Sequence, residues 1–170
     1  MPHESQSRKP SVMVVEDFED TRLMIAVELR KEGYEVVEVS DGREAVEAVK
    51  ERAPDLVLLD LSLPGYDGLS AAFRMREVGA MCHVPIVACT AHDASLHRGA
   101  ALAAGCDEYL TKPLDLTRLK EVVGRLLAES SDGTRRDAAK ARAERIASAK
   151  LDDERLREYL DGLIEQAGAS

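Results

Sequence analysis

The stretch LVLLDLSLPGYDGL occupies residues 56–69 and joins an apolar run to an acidic residue and a turn. Its first four residues are apolar, which is typical of a strand that is covered on both faces of a parallel sheet. Asp60 closes the run, and the Pro64-Gly65 pair after it is a turn signal. The sequence therefore predicts a buried strand over Asp55–Asp60 that delivers a carboxylate to the following loop.

Short apolar runs of this kind alternate with helical patterns from residue 11 to about residue 128. The other predicted strands are Val12–Glu16, Glu35–Val39, Val84–Thr90 and Asp107–Leu110. The predicted helices lie at 19–31, 42–52, 68–78, 94–104 and 115–128. Gly33, Gly79 and Gly105 stand where helices should end, and Asp41 and Asp115 stand where two helices should be capped.

This alternation predicts an α/β fold with a parallel sheet and crossover helices. Five βα units are too few for an eight-stranded barrel, so we predict an open, doubly wound sheet of the flavodoxin-like type, with strand order 2-1-3-4-5. Such a sheet binds its ligands at the carboxyl ends of the strands.

Composition narrows the classes of protein that remain. The chain has 170 residues, 45% hydrophobic and 32% charged, with a formal net charge of −9. The negative charge disfavours sequence-independent binding to nucleic acid or to anionic lipid. No run approaches the roughly 18–20 apolar residues that a membrane span needs, so we expect no membrane association and a cytoplasmic location. Residues 1–10 are predicted to be a disordered N-terminus.

The three cysteines, Cys82, Cys89 and Cys106, do not form a C-x-x-C pair or a zinc-ligand pattern. We expect them to be small buried hydrophobic residues rather than disulfide partners or metal ligands.

The sequence changes character after Ala128. Residues 129–133 have the composition of a linker, and residues 134–170 contain Ala, Arg, Lys, Glu and Leu at helical spacing with no Pro. We call residues 134–170 the C-terminal extension and predict that it is helical. Its residues 134–150 include six basic and two acidic side chains, whereas residues 151–165 include two basic and six acidic ones.

Polar side chains close the predicted strands. Glu16 and Asp17 follow the first strand, Asp60 ends the third, Thr90 ends the fourth, and Lys112 follows the fifth. If strands one and three are neighbours, the three carboxylates converge and repel one another unless a cation lies between them. Mg²⁺ prefers such oxygen ligands, so the pattern indicates a magnesium site suited to phosphoryl transfer, with Asp60 as the nucleophile.

Four segments, VVED at 14–17, LLDLSLPGYDGL at 58–69, PIVACTAH at 85–92 and AAGCDEYLTKP at 103–113, resemble the signature segments of response-regulator receiver domains of two-component signalling systems. The resemblance covers residues 10–128, and we take 11–128 as the domain. It implies that Asp60 accepts a phosphoryl group from the histidine of a sensor kinase or phosphotransfer protein. It also implies a cis peptide bond before Pro113.

The resemblance assigns further roles to site residues. Asp17 and Asp60 would hold Mg²⁺, Glu16 would reach it through water, and Ser62 would contribute its backbone carbonyl. Thr90 and Lys112 would bind the phosphoryl group, and Tyr109 would turn inward as Thr90 moves. Ser62 and His92 occupy positions at which side chains modulate the lifetime of the acyl phosphate.

Several outputs remain open at this level. The extension is short for a DNA-binding module, so we expect signalling by contact with a downstream protein, and we do not expect an enzyme acting on other molecules. An alternative is self-association through the extension helix, controlled by phosphorylation. An aspartate-nucleophile phosphohydrolase would need a second acid two residues after the nucleophile, where Ser62 stands. A scaffold derived from the same fold would lack one of Asp17, Asp60, Thr90 or Lys112, and all four are present.

Overall fold

A computed structural model describes residues 8–63, 67–91, 95–131, 137 and 140–144. The expectations for residues 1–7, for His92 and for most of the C-terminal extension lie outside this part of the chain.

Five parallel strands form one sheet in the order β2-β1-β3-β4-β5, which confirms the predicted order. The strands are β1 Ser11–Val15, β2 Glu35–Val39, β3 Leu56–Asp60, β4 Ile86–Thr90 and β5 Glu108–Thr111. The helices are α1 Glu19–Lys31, α2 Gly42–Glu51, α3 Gly68–Arg76, α4 Ser95–Ala103 and α5 Leu116–Ser131, with a 3-10 turn at Gly79–Met81. Each strand and helix agrees with its predicted counterpart to within three residues.

Apolar side chains cover both faces of the sheet. One layer joins it to α2, α3 and α4 through residues such as Val46, Met75 and Ala100, and the other joins it to α1 and α5 through Leu29 and Leu119. All five residues of β3 are buried, as its continuous apolar run predicted. Burial on both faces therefore holds β1, β3 and β4 in the middle of the sheet and fixes where their carboxyl ends lie.

Local signals account for several helix boundaries. Asp41 accepts a hydrogen bond from the backbone N–H of Glu44 at 2.8 Å, and Asp115 accepts one from that of Thr117 at 2.9 Å, so both predicted caps are confirmed. Gly33 and Gly105 have φ values of 92° and 101°, the left-handed conformation that ends a helix.

Two expectations about individual residues differ from the structure. Gly79 does not end α3, because that helix stops at Arg76 and Gly79 instead opens the 3-10 turn. Cys82 is exposed, since it follows that turn in the loop before β4, whereas Cys89 and Cys106 are buried as expected. In addition, α5 continues to Ser131, so residues 129–131 of the predicted linker are helical.

Two methionines on helices provide a matched test of the core. Met75 on α3 is fully buried, whereas Met24 on α1 is 44% exposed. We expect Met75→Ala to lower the free energy of unfolding by about 2–5 kcal/mol, because it removes apolar contacts and leaves a cavity. Met24→Ala should change it by less than about 0.5 kcal/mol. Urea unfolding of both variants measures the difference, and equal losses would contradict the described core.

The thiols should differ in reactivity. Burial raises the pKa of Cys89 and the pKa of Cys106 to about 12, so neither forms the reactive thiolate near neutral pH. We expect iodoacetamide at pH 8 to modify Cys82 alone in the folded protein, as read by mass spectrometry of peptides. Unfolding in urea should make all three thiols reactive, and rapid labelling of Cys89 or Cys106 before unfolding would contradict their burial.

Candidate functional site

Three carboxylates meet at the carboxyl edge of the sheet. Glu16 follows β1 and Asp60 ends β3, and each is only 3% exposed, while Asp17 is exposed. The two strands are hydrogen-bonded neighbours, with Val15 opposite Leu59. One carboxylate oxygen from each acidic residue lies within 4.8 Å of the others. The structure thus brings together the three acidic residues that the strand ends predicted.

Lys112 lies against this cluster. Its Nζ is 2.6 Å from Oε2 of Glu16 and 3.2 Å from Oδ2 of Asp60. The peptide bond between Lys112 and Pro113 is cis, as the family resemblance implied. The Lys112 backbone N–H donates to the carbonyl of Thr90 at 2.7 Å, which ties this turn to the end of β4. Lys112 therefore contacts two of the three carboxylates at once.

The charges in the cluster do not balance when all groups are ionised. Three carboxylates carry −3 and Lys112 carries +1, which leaves −2 at a partly buried edge of the sheet. Burial, together with the neighbouring charge of Asp60, raises the pKa of Glu16 despite the hydrogen bond from Lys112. Burial acts to lower the pKa of Lys112, but the hydrogen bond to Glu16 and the charge of Asp60 outweigh it and raise that pKa. Clustered oxygen ligands with this excess of negative charge fit a divalent cation such as Mg²⁺.

Backbone donors orient two of the carboxylates. The N–H of Ser62 donates to Oδ1 of Asp60 at 2.8 Å, and the N–H of Phe18 donates to Oε1 of Glu16 at 3.2 Å. Because Oδ1 of Asp60 accepts from Ser62, its Oδ2 faces Lys112, and the two contacts hold the Asp60 side chain in one orientation. Each carboxylate is thus positioned by its own loop as well as by Lys112.

Gly68 lets α3 begin directly against the end of β3. A Cβ atom at this position would overlap the carbonyl oxygen of Asp60 and would lie 2.6 Å from Cα of Leu61. Only a residue without a side chain allows the backbone to approach this closely. Gly68 was not predicted to belong to the site, although its place after the capping Asp67 and before an apolar helix was the available signal.

Thr90 and Tyr109 share one face of the sheet. Thr90 is 2% exposed at the end of β4. Tyr109 on β5 pairs with Ala88 on β4, and Ala88 lies two residues before Thr90 on that strand. Side chains two residues apart on a strand point to the same face, so both face the layer that contains α4. Tyr109 is half-buried and packs against that layer. Ser62 is exposed in the loop after Asp60, and His92 is not among the described residues.

Comparison with known proteins places this geometry in a family. Residues 12–124 match the model of the response regulator receiver domain. The chain is similar to the sensor protein GacS of Pseudomonas syringae pv. syringae, with 41% identity over 120 residues. That match covers 69% of this chain and only 13% of the length of the sensor protein.

Solved structures agree with the sequence comparison. The receiver domain of a sensor histidine kinase from Pseudomonas aeruginosa PAO1, which has a magnesium ion in its active-site cleft, is 33% identical with a TM-score of 0.66, and the match covers 71% of this chain and 99% of that one. A CheY-like receiver domain from Methanospirillum hungatei JF-1 shares the fold, with 22% identity, a TM-score of 0.69, and coverage of 73% of this chain and 98% of that one.

Receiver domains are signalling domains that accept a phosphoryl group and bind Mg²⁺ at their acidic site. Within the described residues, no helix has the length and apolar character that a membrane crossing requires. The matched residues include β2 to β5, all of β1 except Ser11, and the carboxylate cluster, and the strand order is the one that this fold requires. The chain therefore belongs to the family of response regulator receiver domains of two-component systems.

Proposed function

We propose that Asp60 is the phosphoacceptor of this chain and that Asp17 and Asp60 hold the Mg²⁺ ion. Glu16 acts on the ion through a water molecule, and Ser62 contributes its backbone carbonyl. The observation that carries the proposal is the cluster of three carboxylates with Lys112 in contact with two of them. Asp60 ends a buried strand, and both Lys112 and the backbone N–H of Ser62 contact its carboxylate. A carboxylate held in this way is well suited to present one oxygen to a phosphorus atom.

The proposed reaction is a transfer of a phosphoryl group to the Asp60 carboxylate. A bond forms between a carboxylate oxygen and phosphorus as the bond from phosphorus to the donor nitrogen breaks, which yields an acyl phosphate. Mg²⁺ supplies positive charge for the phosphoryl oxygens. Lys112 and Thr90 would bind those oxygens as well, and an ionised Asp60 needs no general base. The donor is the phosphohistidine of a sensor kinase or of a phosphotransfer protein in the cytoplasm.

The proposed output is a change of surface around β4 and β5. Thr90 and Tyr109 lie on the same face, so movement of Thr90 toward the phosphoryl group would open space into which Tyr109 turns. Such a change shifts a pre-existing equilibrium between two surfaces and alters affinity for a downstream protein. We propose protein contact rather than binding to nucleic acid, since the net charge of −9 disfavours a phosphate backbone.

The alternative to this output is phosphorylation-controlled self-association through the C-terminal extension, in which the basic first part of one extension would pair with the acidic second part of another. A phosphohydrolase acting on external esters is disfavoured because Ser62 stands where the second acid would be needed. On this proposal the chain catalyses only its own phosphorylation and dephosphorylation, and Ser62 and His92 set the lifetime of the acyl phosphate.

Phosphorylation by a small donor tests the assignment of Asp60. With acetyl phosphate and Mg²⁺, the full chain should gain the mass of one phosphoryl group, and hydroxylamine should remove it. Asp60→Asn should abolish the gain because the amide is not a nucleophile, whereas Asp20→Asn, at an exposed position on α1, should leave it unchanged. Intact-mass spectrometry gives the readout. Equal labelling of Asp60→Asn, or steady release of phosphate from an added ester, would refute the proposal.

Calorimetric titration tests the magnesium site. Asp17→Asn should weaken Mg²⁺ binding by about tenfold or more, since it removes an anionic oxygen ligand from the cluster. Asp17 is exposed, so this change should leave the fold intact. Asp20→Asn is the matched control and should bind Mg²⁺ as the unaltered chain does. Unchanged affinity of Asp17→Asn would exclude that residue as a ligand.

A further inference from the structure

Asp107 binds two arginines at the other end of the sheet. Its Oδ2 accepts hydrogen bonds from Nη2 of Arg76 at 3.0 Å and from the backbone N–H of Ile86 at 2.9 Å. Its Oδ1 accepts one from Nε of Arg142 at 2.8 Å, and Nη1 of Arg142 donates to the carbonyl oxygen of Cys82 at 2.5 Å. Arg142 belongs to the C-terminal extension, so this contact joins the extension to the receiver domain.

Arg142 is the buried residue of its helical segment. Residues 140–144 are helical, and Arg142 is 4% exposed, whereas Lys140, Ala141, Ala143 and Glu144 are exposed. A buried guanidinium is costly unless its charge is paired and its N–H groups find acceptors. Asp107 and the Cys82 carbonyl supply both, so the segment is attached to the domain by an inserted arginine.

Asp107 is paired with Arg76 of the receiver domain even without Arg142. Arg76 donates to the carbonyl oxygens of Gly105, Met81 and Val84 as well as to Asp107. Burial, together with the nearby positive charge of Arg142, lowers the pKa of Arg76 to about 10. Removal of Arg142 would therefore leave Asp107 paired with Arg76 and would not leave a buried carboxylate unpaired.

The contact requires the shape of a guanidinium and not only its charge. Two different nitrogens of Arg142 reach two acceptors that belong to different loops, Asp107 before β5 and Cys82 before β4. The ammonium group of a lysine is a compact point charge on a flexible stem and does not reproduce this fork. The pair of acceptors is therefore selective for arginine.

The docked segment lies away from the carboxylate cluster. Asp107 precedes β5 and Lys112 follows it, so five residue steps along an extended strand separate the two places by about 16 Å at roughly 3.3 Å per residue. Residues 140–144 are therefore attached at the amino end of the sheet, away from Asp60.

We propose that the Asp107 carboxylate and the Cys82 carbonyl form a docking site for an arginine-bearing helix, and that the occupant is residues 140–144 of the same chain, with Arg142 as the anchor. Residues 140–144 are thereby held against the amino end of the sheet as part of the receiver domain's own surface. The docking site works independently of phosphoryl chemistry at the opposite edge.

Hydrogen exchange of the full chain, measured by mass spectrometry, tests this proposal. An isolated helix this short is marginal, so protection of the amides of residues 140–144 depends on docking. Arg142→Ala should make those amides exchange about tenfold faster or more, the scale set by loss of charge-assisted hydrogen bonds. Arg142→Lys should behave in the same way, whereas Lys140→Ala, at an exposed basic position of the same segment, should not change the exchange.

Other outcomes would overturn the proposal. Absence of protection in the unaltered chain, or unchanged exchange in Arg142→Ala, would show that the segment does not dock through Arg142. Protection that appears only at concentrations at which sedimentation shows dimers would make a second copy the occupant. Arg142→Ala should still be phosphorylated by acetyl phosphate, because the two sites are separate, so failure of phosphorylation in the unaltered chain would refute the assignment of Asp60 without affecting the docking result.

Discussion

Mutual repulsion of three carboxylates is the constraint around which the carboxyl edge of the sheet is organised. One carboxylate oxygen from each of Glu16, Asp17 and Asp60 lies within 4.8 Å of the others. The three groups are held together because β1 and β3 are hydrogen-bonded neighbours buried on both faces. The free energy of packing those apolar strands maintains a cluster that its own charges oppose. Lys112 offsets part of the charge through contacts with Glu16 and Asp60, and a divalent cation would offset the rest.

The two ends of the sheet carry different kinds of electrostatic contact. At the carboxyl end, acidic groups outnumber the lysine, which favours the binding of a cation. At the amino end, Arg76 and Arg142 outnumber Asp107, and backbone carbonyls accept further N–H groups of both arginines. The first arrangement concentrates negative charge that a cation can offset, whereas the second satisfies buried donors and so fixes structure.

The sequence predicted the architecture well because the relevant signals are local. Apolar runs, capping aspartates and helix-ending glycines each act within a few residues. For this reason strands β1 to β5 lie where the sequence predicted them. The predictions for Gly79 and Cys82 were wrong for the same reason. A glycine suits either a helix end or a tight turn, and a cysteine suits either a core or a loop, so the neighbouring packing decides between them.

Two contacts were not predicted from the sequence. Gly68 is required by the backbone of Asp60 and Leu61 across the loop, and the Asp107 site joins residues that are 35 positions apart in the chain. The alternation of apolar runs determined the fold class, and the acidic, hydroxyl and lysine residues that close those runs determined the chemistry available at the strand ends. Both follow from the sequence because hydrophobic periodicity and residue type are properties of short segments. The folded chain alone decided which carboxylates contact Lys112 and which arginines contact Asp107, because distances between residues far apart in sequence are set by how the layers pack.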